Sequence, residues 1–253
     1  MSFTIRIGTA GWTIPRLWRD GFPTEGSQLE RYAARLPAVE INSSFYRPHR
    51  LETYCRWAGS VGPDFRFAVK LPREITHERR LVEVSSPLLE FAGQIAGLGE
   101  KLGVVLIQLP PSLAFDPDAA APFLRAAGAL PAQLVLEPRH ASWFADAVDA
   151  LLAEHRVARA AADPPPVAEA AVPGGWKGFA YFRLHGSPHI YRSPYQEDAI
   201  AAHARSALRA ASTGETWVIY DNTTSGAAAG NALALAGRIQ SDELVREGST
   251  GST

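Results

Sequence analysis

Leu134-Val135-Leu136-Glu137-Pro138-Arg139-His140-Ala141-Ser142-Trp143 is the stretch on which the reading of this chain turns. An apolar run the length of one buried strand stops at a carboxylate, a proline, a guanidinium and an imidazole, and a helix is expected to open at Ser142. A strand of an α/β barrel hands over to an active-face loop in this way, which places Glu137 and Arg139 at a strand's carboxyl end. The stretch indicates where chemistry would occur and leaves the reaction open.

The same handover recurs in both directions. Short β-rich runs at residues 4–8, 38–42, 65–70, 104–109, 134–137, 159–163, 180–185 and 217–221 alternate with amphipathic patterns at 29–36, 51–61, 87–102, 118–129, 142–155, 197–211 and 227–239. Eight strands in that order predict an α/β fold, a single (β/α)8 TIM-type barrel over residues 1–240, with residues 241–253 as a flexible tail. Helix entry signals support the pattern: Ser27 with Glu30 three residues on forms a capping box, and Asp116-Pro117-Asp118 starts a helix with proline in its first turn. Between strands six and seven the scheme fails. Pro164-Pro165-Pro166 through Pro173-Gly174-Gly175 predicts an irregular connection in place of a helix, with at most one turn at 168–171. A second long segment, 11–26, follows strand one; long loops on the active face are where lids and binding walls lie.

Composition excludes several classes. Hydrophobic residues make up 46% and charged residues 20% of 253 residues, which excludes wholesale disorder. A net charge of -1 gives no general attraction to polyanions, so any nucleic-acid contact needs a local basic patch. Cys55 is the only cysteine and has no disulfide partner in the chain; its neighbours Tyr54, Trp57 and Ala58 predict a packed core thiol. The N-terminus enters the Phe3-Thr4-Ile5-Arg6-Ile7 run at once and no apolar run has the length of a membrane span, so a cytoplasmic protein with no membrane association is expected. There is no His-Glu-x-x-His, paired-cysteine zinc pattern, Walker loop, Gly-x-Gly-x-x-Gly or Gly-x-Ser-x-Gly. The cofactor is left open: a metal held by His77, His185, Glu137 or Asp163 is geometrically compatible, but no ligand spacing supports it and no metal site is assigned.

Side chains alternate across a strand, so residues two apart share a face. That parity groups Glu40 with Asn42, Arg66 with Lys70, Val104 with Gln108, Ala161 with Asp163, Arg183 with His185, and Ile219 with Asp221. Three cations, Lys70, Arg139 and Arg183, then face four carboxylates, Glu40, Glu137, Asp163 and Asp221, around one predicted opening. Polar residues after strands often cap the next helix, which is a structural explanation for each one singly. Together they are harder to explain that way, because buried ions cost several kcal/mol each unless well paired, and apolar replacements would serve stability as well. The catalytic candidates are Glu137, Asp163, His185 and Lys70: either carboxylate as the proton carrier, His185 as acid or polariser, Lys70 as either a salt-bridge partner or a contact to a substrate anion. Arg139 and Arg183 are expected to hold that anion. Further contacts are expected from Asn42, Tyr46, Arg47, His77 and Gln108, from Tyr191 and Tyr195, and from Glu40.

The last strand runs into Asp221-Asn222-Thr223-Thr224-Ser225-Gly226 before an alanine-rich helix. Free amides there suit an anion, and helix capping by Thr224 or Ser225 explains the same residues without one. Aromatic residues Trp12, Phe45, Tyr46, Trp143, Tyr191 and Tyr195 either wall a pocket or close the barrel top.

Two functional readings follow, with a ligand-sensing or partner-binding barrel without chemistry as a third. The first is an enzyme, a hydrolase or a lyase or isomerase, acting on a small or extended anionic, possibly phosphorylated substrate by carboxylate acid–base chemistry. Phosphoester hydrolysis and proton abstraction next to a carbonyl both fit. The second is a non-catalytic binder of nucleic acid or another polyanion, stacking on Tyr46, Tyr191 and Tyr195. No feature specifies a protein partner.

Seven ordered blocks carry a resemblance. Gly8-Thr9-Ala10-Gly11-Trp12, Val39 to Arg47, Phe65 to Pro72, Gln108-Leu109-Pro110-Pro111, Glu137 to Trp143, Arg183-Leu184-His185-Gly186 and Tyr220-Asp221-Asn222-Thr223 together resemble the YecE-like family, domain-of-unknown-function family 72. The resemblance extends from about Ile5 to about Leu235. It implies a (β/α) barrel with a polar cleft at the strands' carboxyl ends and no settled activity. Ala10 stands where many members have serine, Pro138 replaces a usual phenylalanine, and Asp221 occurs where many have asparagine. A metal-dependent phosphodiesterase reading of such barrels rests on fold analogy alone, which transfers no mechanism.

Overall fold

In the structure, a computed structural model that describes residues 4–250, the apolar runs become ten strands of one sheet. They are β1 (Ile5–Ala10), β2 (Ala38–Ile41), β3 (Arg66–Lys70), β4 (Leu102–Gln108), β5 (Gln133–Glu137), β6 (Ala158–Arg159), β7 (Ala161–Asp163), β8 (Gly174–Gly175), β9 (Phe179–Leu184) and β10 (Glu215–Tyr220). The spatial order is β7-β9-β10-β1-β2-β3-β4-β5-β6-β8, parallel throughout except for β8, which runs antiparallel to β6. β6 and β7 correspond to the sixth predicted strand, interrupted at Ala160, whose N–H still donates to the Leu136 carbonyl at 2.9 Å. The two ends of the order therefore meet, and the barrel is nearly closed.

Among the described residues six α-helices connect strands, α1 (Gln28–Ala33), α2 (Leu51–Gly59), α3 (Ser85–Ile95), α4 (Pro117–Ala127), α5 (Asp146–Glu154) and α6 (Glu197–Ala211), and α7 (Ala227–Thr250) follows β10. The capping box at Ser27 and Glu30 forms as the sequence predicts, and Asp116 accepts from the N–H of Asp118 ahead of Pro117. After β5 the chain makes a 3-10 turn at Ala141–Phe144 before α5, so the helix proper begins four residues later than Ser142. The connection between β7 and β9 holds only the short turn Ala168–Ala171 and the β8 bridge, in place of a barrel helix. α7 extends past the expected end at residue 239 into the segment read as a tail, and residues 251–253 lie outside the described residues.

Period-two alternation divides the burial in two. One face of the strands packs outward on the helices in a large shell that includes Val39, Ile41, Phe67, Val69, Val105, Ile107, Leu134 and Leu136. The opposite face fills the barrel lumen with Ala38, Ala68, Val104, Leu106, Val135, Ala158, Ala160, Tyr181, Trp217 and Ile219. The floor is aromatic: Tyr181 and Trp217 stack with ring centroids 6.2 Å apart. A Cβ at Gly103 would stand 2.7 Å from the Trp217 ring, so a glycine there admits the indole. Moving up from that floor, the lumen-facing residues change from apolar to charged within one or two steps, at Glu40, Lys70, Glu137, Arg183 and Asp221.

Cys55 departs from expectation. It is a free, exposed thiol, because the buried side of α2 is set by Tyr54, and one helical step turns the next residue by about 100° toward solvent.

Candidate functional site

The charged layer is built around Arg183 on β9. Its Nε donates to Glu40 Oε2 at 3.0 Å and its Nη2 to Glu40 Oε1 at 2.8 Å, a two-pronged pairing across the barrel lumen. Nη2 also lies 2.9 Å from Asp221 Oδ2, and Nη1 lies 3.3 Å from Glu137 Oε2. One guanidinium thus meets three carboxylates from β2, the end of β5 and the end of β10. Burial alone would lower the Arg183 pKa, but Asp221, Glu40 and Glu137 outweigh it and hold it well above the ordinary value. The phenol of Tyr181, two residues earlier on the same face, donates to Glu40 Oε2 at 2.9 Å.

Glu137 is fully occupied. Oε1 accepts from Arg139 Nη2 at 2.6 Å and faces His185 Nε2 at 2.8 Å, while Oε2 accepts from Gln108 Nε2 at 2.9 Å and from Arg183. Four partners use the lone-pair sites a carboxylate offers. Burial pushes its pKa up, yet Arg139, Arg183 and His185 overcome burial and hold it well below the usual carboxylate range. His185 completes the layer, with Nδ1 3.0 Å from Asp221 Oδ2. Its Nε2 is also 2.7 Å from Arg139 Nη2, so this nitrogen either donates to Glu137 or accepts from Arg139, according to tautomer. For Asp221, burial raises the pKa and Arg183 and His185 more than reverse the effect, leaving it lowered.

Lys70 stands apart. The end of β3 is fixed where Ser44 Oγ donates to the Lys70 carbonyl at 2.7 Å and the Leu71 N–H donates to the Leu106 carbonyl at 2.9 Å. The side chain is 6% exposed, and its ammonium lies 4.0 Å from the centroid of the Phe45 ring, a cation–π contact that offsets part of the lost hydration. Among the described residues it makes no hydrogen bond and no salt bridge. Burial, followed by the repulsion of Arg183, brings its pKa down to about 8 against the pull of Glu40, Glu137 and Asp221.

Above this layer opens a cavity of about 500 Å³ lined by Asn42, Phe45, Tyr46, Lys70, Arg73, His77, Gln108, Tyr191, Asp221, Thr223 and Thr224. Tyr46 is 73% and Tyr191 42% exposed at its rim. Tyr191 adopts φ 67°, a left-handed conformation that costs a non-glycine residue roughly 1–2 kcal/mol. Its carbonyl accepts from the Thr224 N–H at 3.0 Å, and its ring stands edge-on to His185 at 5.6 Å between centroids. Burial, then Lys70 and Arg73, lowers the His77 pKa, against the pull of Glu78. Asn42 presents a buried Oδ1 with no partner.

Of the sequence-predicted residues, Glu40, Glu137, Arg139, Arg183, His185 and Asp221 meet in the charged layer, Gln108 bridges layer and cavity, and Lys70, Asn42, Tyr46, His77, Tyr191 and Thr223 line the cavity. Four do not join them. Asp163 is on the outer face: the strand parity places Ala158 and Ala160 in the lumen, so Arg159, Ala161 and Asp163 point toward the helices. It lines a separate cavity of about 250 Å³ with His203 and Ser206 of α6. Tyr195 is buried, its hydroxyl donating to the Asp163 carbonyl at 3.1 Å and accepting from the Gly186 N–H at 2.9 Å. Asn222 is buried and its Nδ2 donates to Ser193 O and Asn231 Oδ1, both at 2.9 Å, so it ties loops together. Arg47 is exposed and is not among the cavity-lining residues. Sequence reasoning missed Arg73, which follows the Lys70-Leu71-Pro72 strand exit, and Tyr181, which the Arg183 parity would have found.

A divalent cation would need the carboxylates that Arg183 already gathers. Glu40, Glu137 and Asp221 turn their oxygens to that guanidinium, and among the described residues no group of three acidic, histidine or cysteine side chains is arranged to hold a metal.

A family model described as "Protein of unknown function DUF72" matches residues 6–251. The chain belongs to the DUF72 family. The curated UPF0759 protein YecE of Escherichia coli K12 is 30% identical over 143 residues, 56% of this chain and 50% of that protein, so the match spans about half the length of the curated relative. Two solved DUF72 structures share the fold: one from Enterococcus faecalis V583, with TM-score 0.79 at 20% identity over 94% of this chain and 96% of the other, and one from Thermotoga maritima MSB8, with TM-score 0.77 at 24% identity over 94% and 99%. The DUF72 assignment agrees with the resemblance read from the seven sequence blocks. It carries the barrel and no specific substrate. No described helix is long and apolar enough to cross a membrane.

Proposed function

We propose that this protein is an enzyme that binds a small anion-bearing substrate in the cavity above the charged layer, with Lys70 as the contacting cation and proton carrier. The observation that carries the reading is the unpaired ammonium of Lys70, desolvated and facing a cavity of about 500 Å³, where Arg139 and Arg183 are already paired. An incoming carboxylate or phosphate would supply the partner that the fold withholds, and in a site of low polarity that pairing is worth more than at the surface. Arg73, the hydroxyls of Thr223 and Thr224, and the Gln108 amide add donors along the same wall.

The proton-carrying role moves from Glu137 to Lys70. Glu137 is saturated by four partners and held far below neutrality, which leaves it ionised and unable to take up a proton near pH 7. Its part, with Asp221 and His185, is to fix Arg183 and so set the charge beneath Lys70. Phosphoester hydrolysis and chemistry next to a carbonyl remain the two reaction classes compatible with this arrangement.

A thermal-shift titration tests the reading. Inorganic phosphate should raise the melting temperature of the wild type and leave Lys70→Met unmoved, and the response should weaken about ten-fold in affinity per pH unit above 8 as the ammonium is lost. A phosphate response equal in the two proteins, or none in either, would remove the site.

A second reading draws on the exposed rings of Tyr46 and Tyr191 beside Arg73: stacking and backbone contact to nucleic acid or another polyanion without chemistry. It requires a salt-dependent mobility shift that Tyr46→Ala weakens.

A further inference from the structure

We infer that the Lys70 amine captures the carbonyl carbon of an aldehyde or ketone that also carries a carboxylate or phosphate, holding it as a Schiff base in the barrel cavity. The inference rests on the anion site proposed above and names its substrate class. Geometry is the first support. Lys70 reaches the cavity from a strand end anchored by Ser44, and among the described residues no carboxylate lies within ion-pair distance to hold the nitrogen's proton in place. Every other cation of the layer is a guanidinium, which cannot serve as an amine nucleophile.

The groups around Lys70 pull both ways. Burial and the Arg183 guanidinium beneath it disfavour the ammonium, whereas the face of the Phe45 ring and the attraction of Glu40, Glu137 and Asp221 favour it. Burial outweighs the rest and shifts the amine toward its uncharged form: a pKa of about 8 leaves roughly a quarter unprotonated at pH 7.5, against about one in a thousand for an ordinary lysine. Desolvation next to another cation is an established way to activate an amine for this chemistry. Arg73 and the Thr223 and Thr224 hydroxyls would hold the anionic end.

The step balances without a further reactant. The Nζ lone pair attacks the carbonyl carbon to give a carbinolamine; the carbonyl oxygen then leaves as water with the two amine protons, and a carbon–nitrogen double bond remains. Protonation of that nitrogen restores the positive charge above Arg183 and draws electrons from the adjacent carbon.

The chain has three lysines, which makes the test direct. Lys101 donates to the carbonyls of Ala58 and Val61, and Lys177 is exposed. The wild-type protein would be treated with borohydride in the presence of glyoxylate, pyridoxal 5′-phosphate or acetaldehyde and mapped by peptide mass spectrometry. We expect the reduced adduct on Lys70 at least ten-fold above Lys101 and Lys177 at pH 7.5, rising through pH 8 and suppressed by inorganic phosphate. The faster of glyoxylate and pyridoxal phosphate identifies carboxylate or phosphate as the anchoring group, and acetaldehyde should label Lys70 at least ten-fold less. Lys70→Arg should keep the thermal response to phosphate and lose the adduct. Labelling of Lys70 no faster than Lys177 would overturn the inference, and acetaldehyde matching glyoxylate would overturn its anion requirement. If phosphate still stabilises the wild type through Lys70 in that case, the anion site stands and only the amine chemistry falls; if phosphate has no effect, both fall.

Discussion

Arg183 and Lys70 are both lumen-facing cations near the carboxyl ends of barrel strands, and both are nearly excluded from water. Arg183 meets Glu40, Glu137 and Asp221; Lys70 meets an aromatic ring and a cavity. The consequence is opposite shifts in basicity, Arg183 well up and Lys70 down to about 8. Burial presses on both in the same direction, so the partners decide the sign. A buried charge surrounded by counter-charges is a fixed part of the structure, whereas one denied them is destabilised until a ligand arrives.

The widest separation between the two should come from removing each charge. Arg183→Met leaves three carboxylates facing one another in the lumen and should cost about 3–5 kcal/mol, read from urea unfolding at pH 7. The acid limb probes the same network. Glu137 and Asp221 have depressed folded pKa values, so their contribution is complete above the ordinary carboxylate range of about 4–4.5 and is lost as pH falls below it toward the folded values. The urea midpoint of the wild type should hold between pH 6 and 5 and drop steeply below about 4.5, and Arg183→Met should flatten that drop.

Lys70→Met should act in the opposite sense and stabilise by about 1–3 kcal/mol at pH 7, because the folded state carries the cost of a desolvated ammonium below its folded pKa. That cost fades as pH rises from about 8 toward the ordinary lysine value near 10.4, so the advantage of the variant should shrink over that window. A destabilised Lys70→Met at pH 7 would break the contrast. The smallest effect is expected at Asp163→Asn, on the outer face: phosphate titration should match the wild type within about two-fold in affinity, or about 0.4 kcal/mol.

Much of the site was legible because barrel strands expose a two-residue period and polar residues end the runs. Glu40, Gln108, Glu137, Arg183 and Asp221 were placed together by parity and handover alone. Parity failed at Asp163, where the sixth strand is divided at Ala160 and its lumen face is carried by alanines, which give no sequence signal of direction. Tyr195 and Asn222 look like site residues because they are polar and close to strand ends, yet both are consumed by main-chain carbonyls, of Asp163 and Ser193. Cys55 failed for a similar reason: an apolar neighbourhood in sequence does not specify which side of α2 is covered.

The sequence by itself determined the strand–helix alternation, the missing helix between the sixth and seventh strands, and which end of the barrel carries charge. These follow from local periodicity and turn chemistry, which act over a few residues. Only the tertiary structure decided which charges pair. Glu40 and Arg183 lie 143 residues apart and meet across the lumen, while Lys70, with the same local pattern as its neighbours, has no counter-ion within ion-pair distance among the described residues. Pairing depends on distances between strands that are remote in the chain, and no local period encodes those distances.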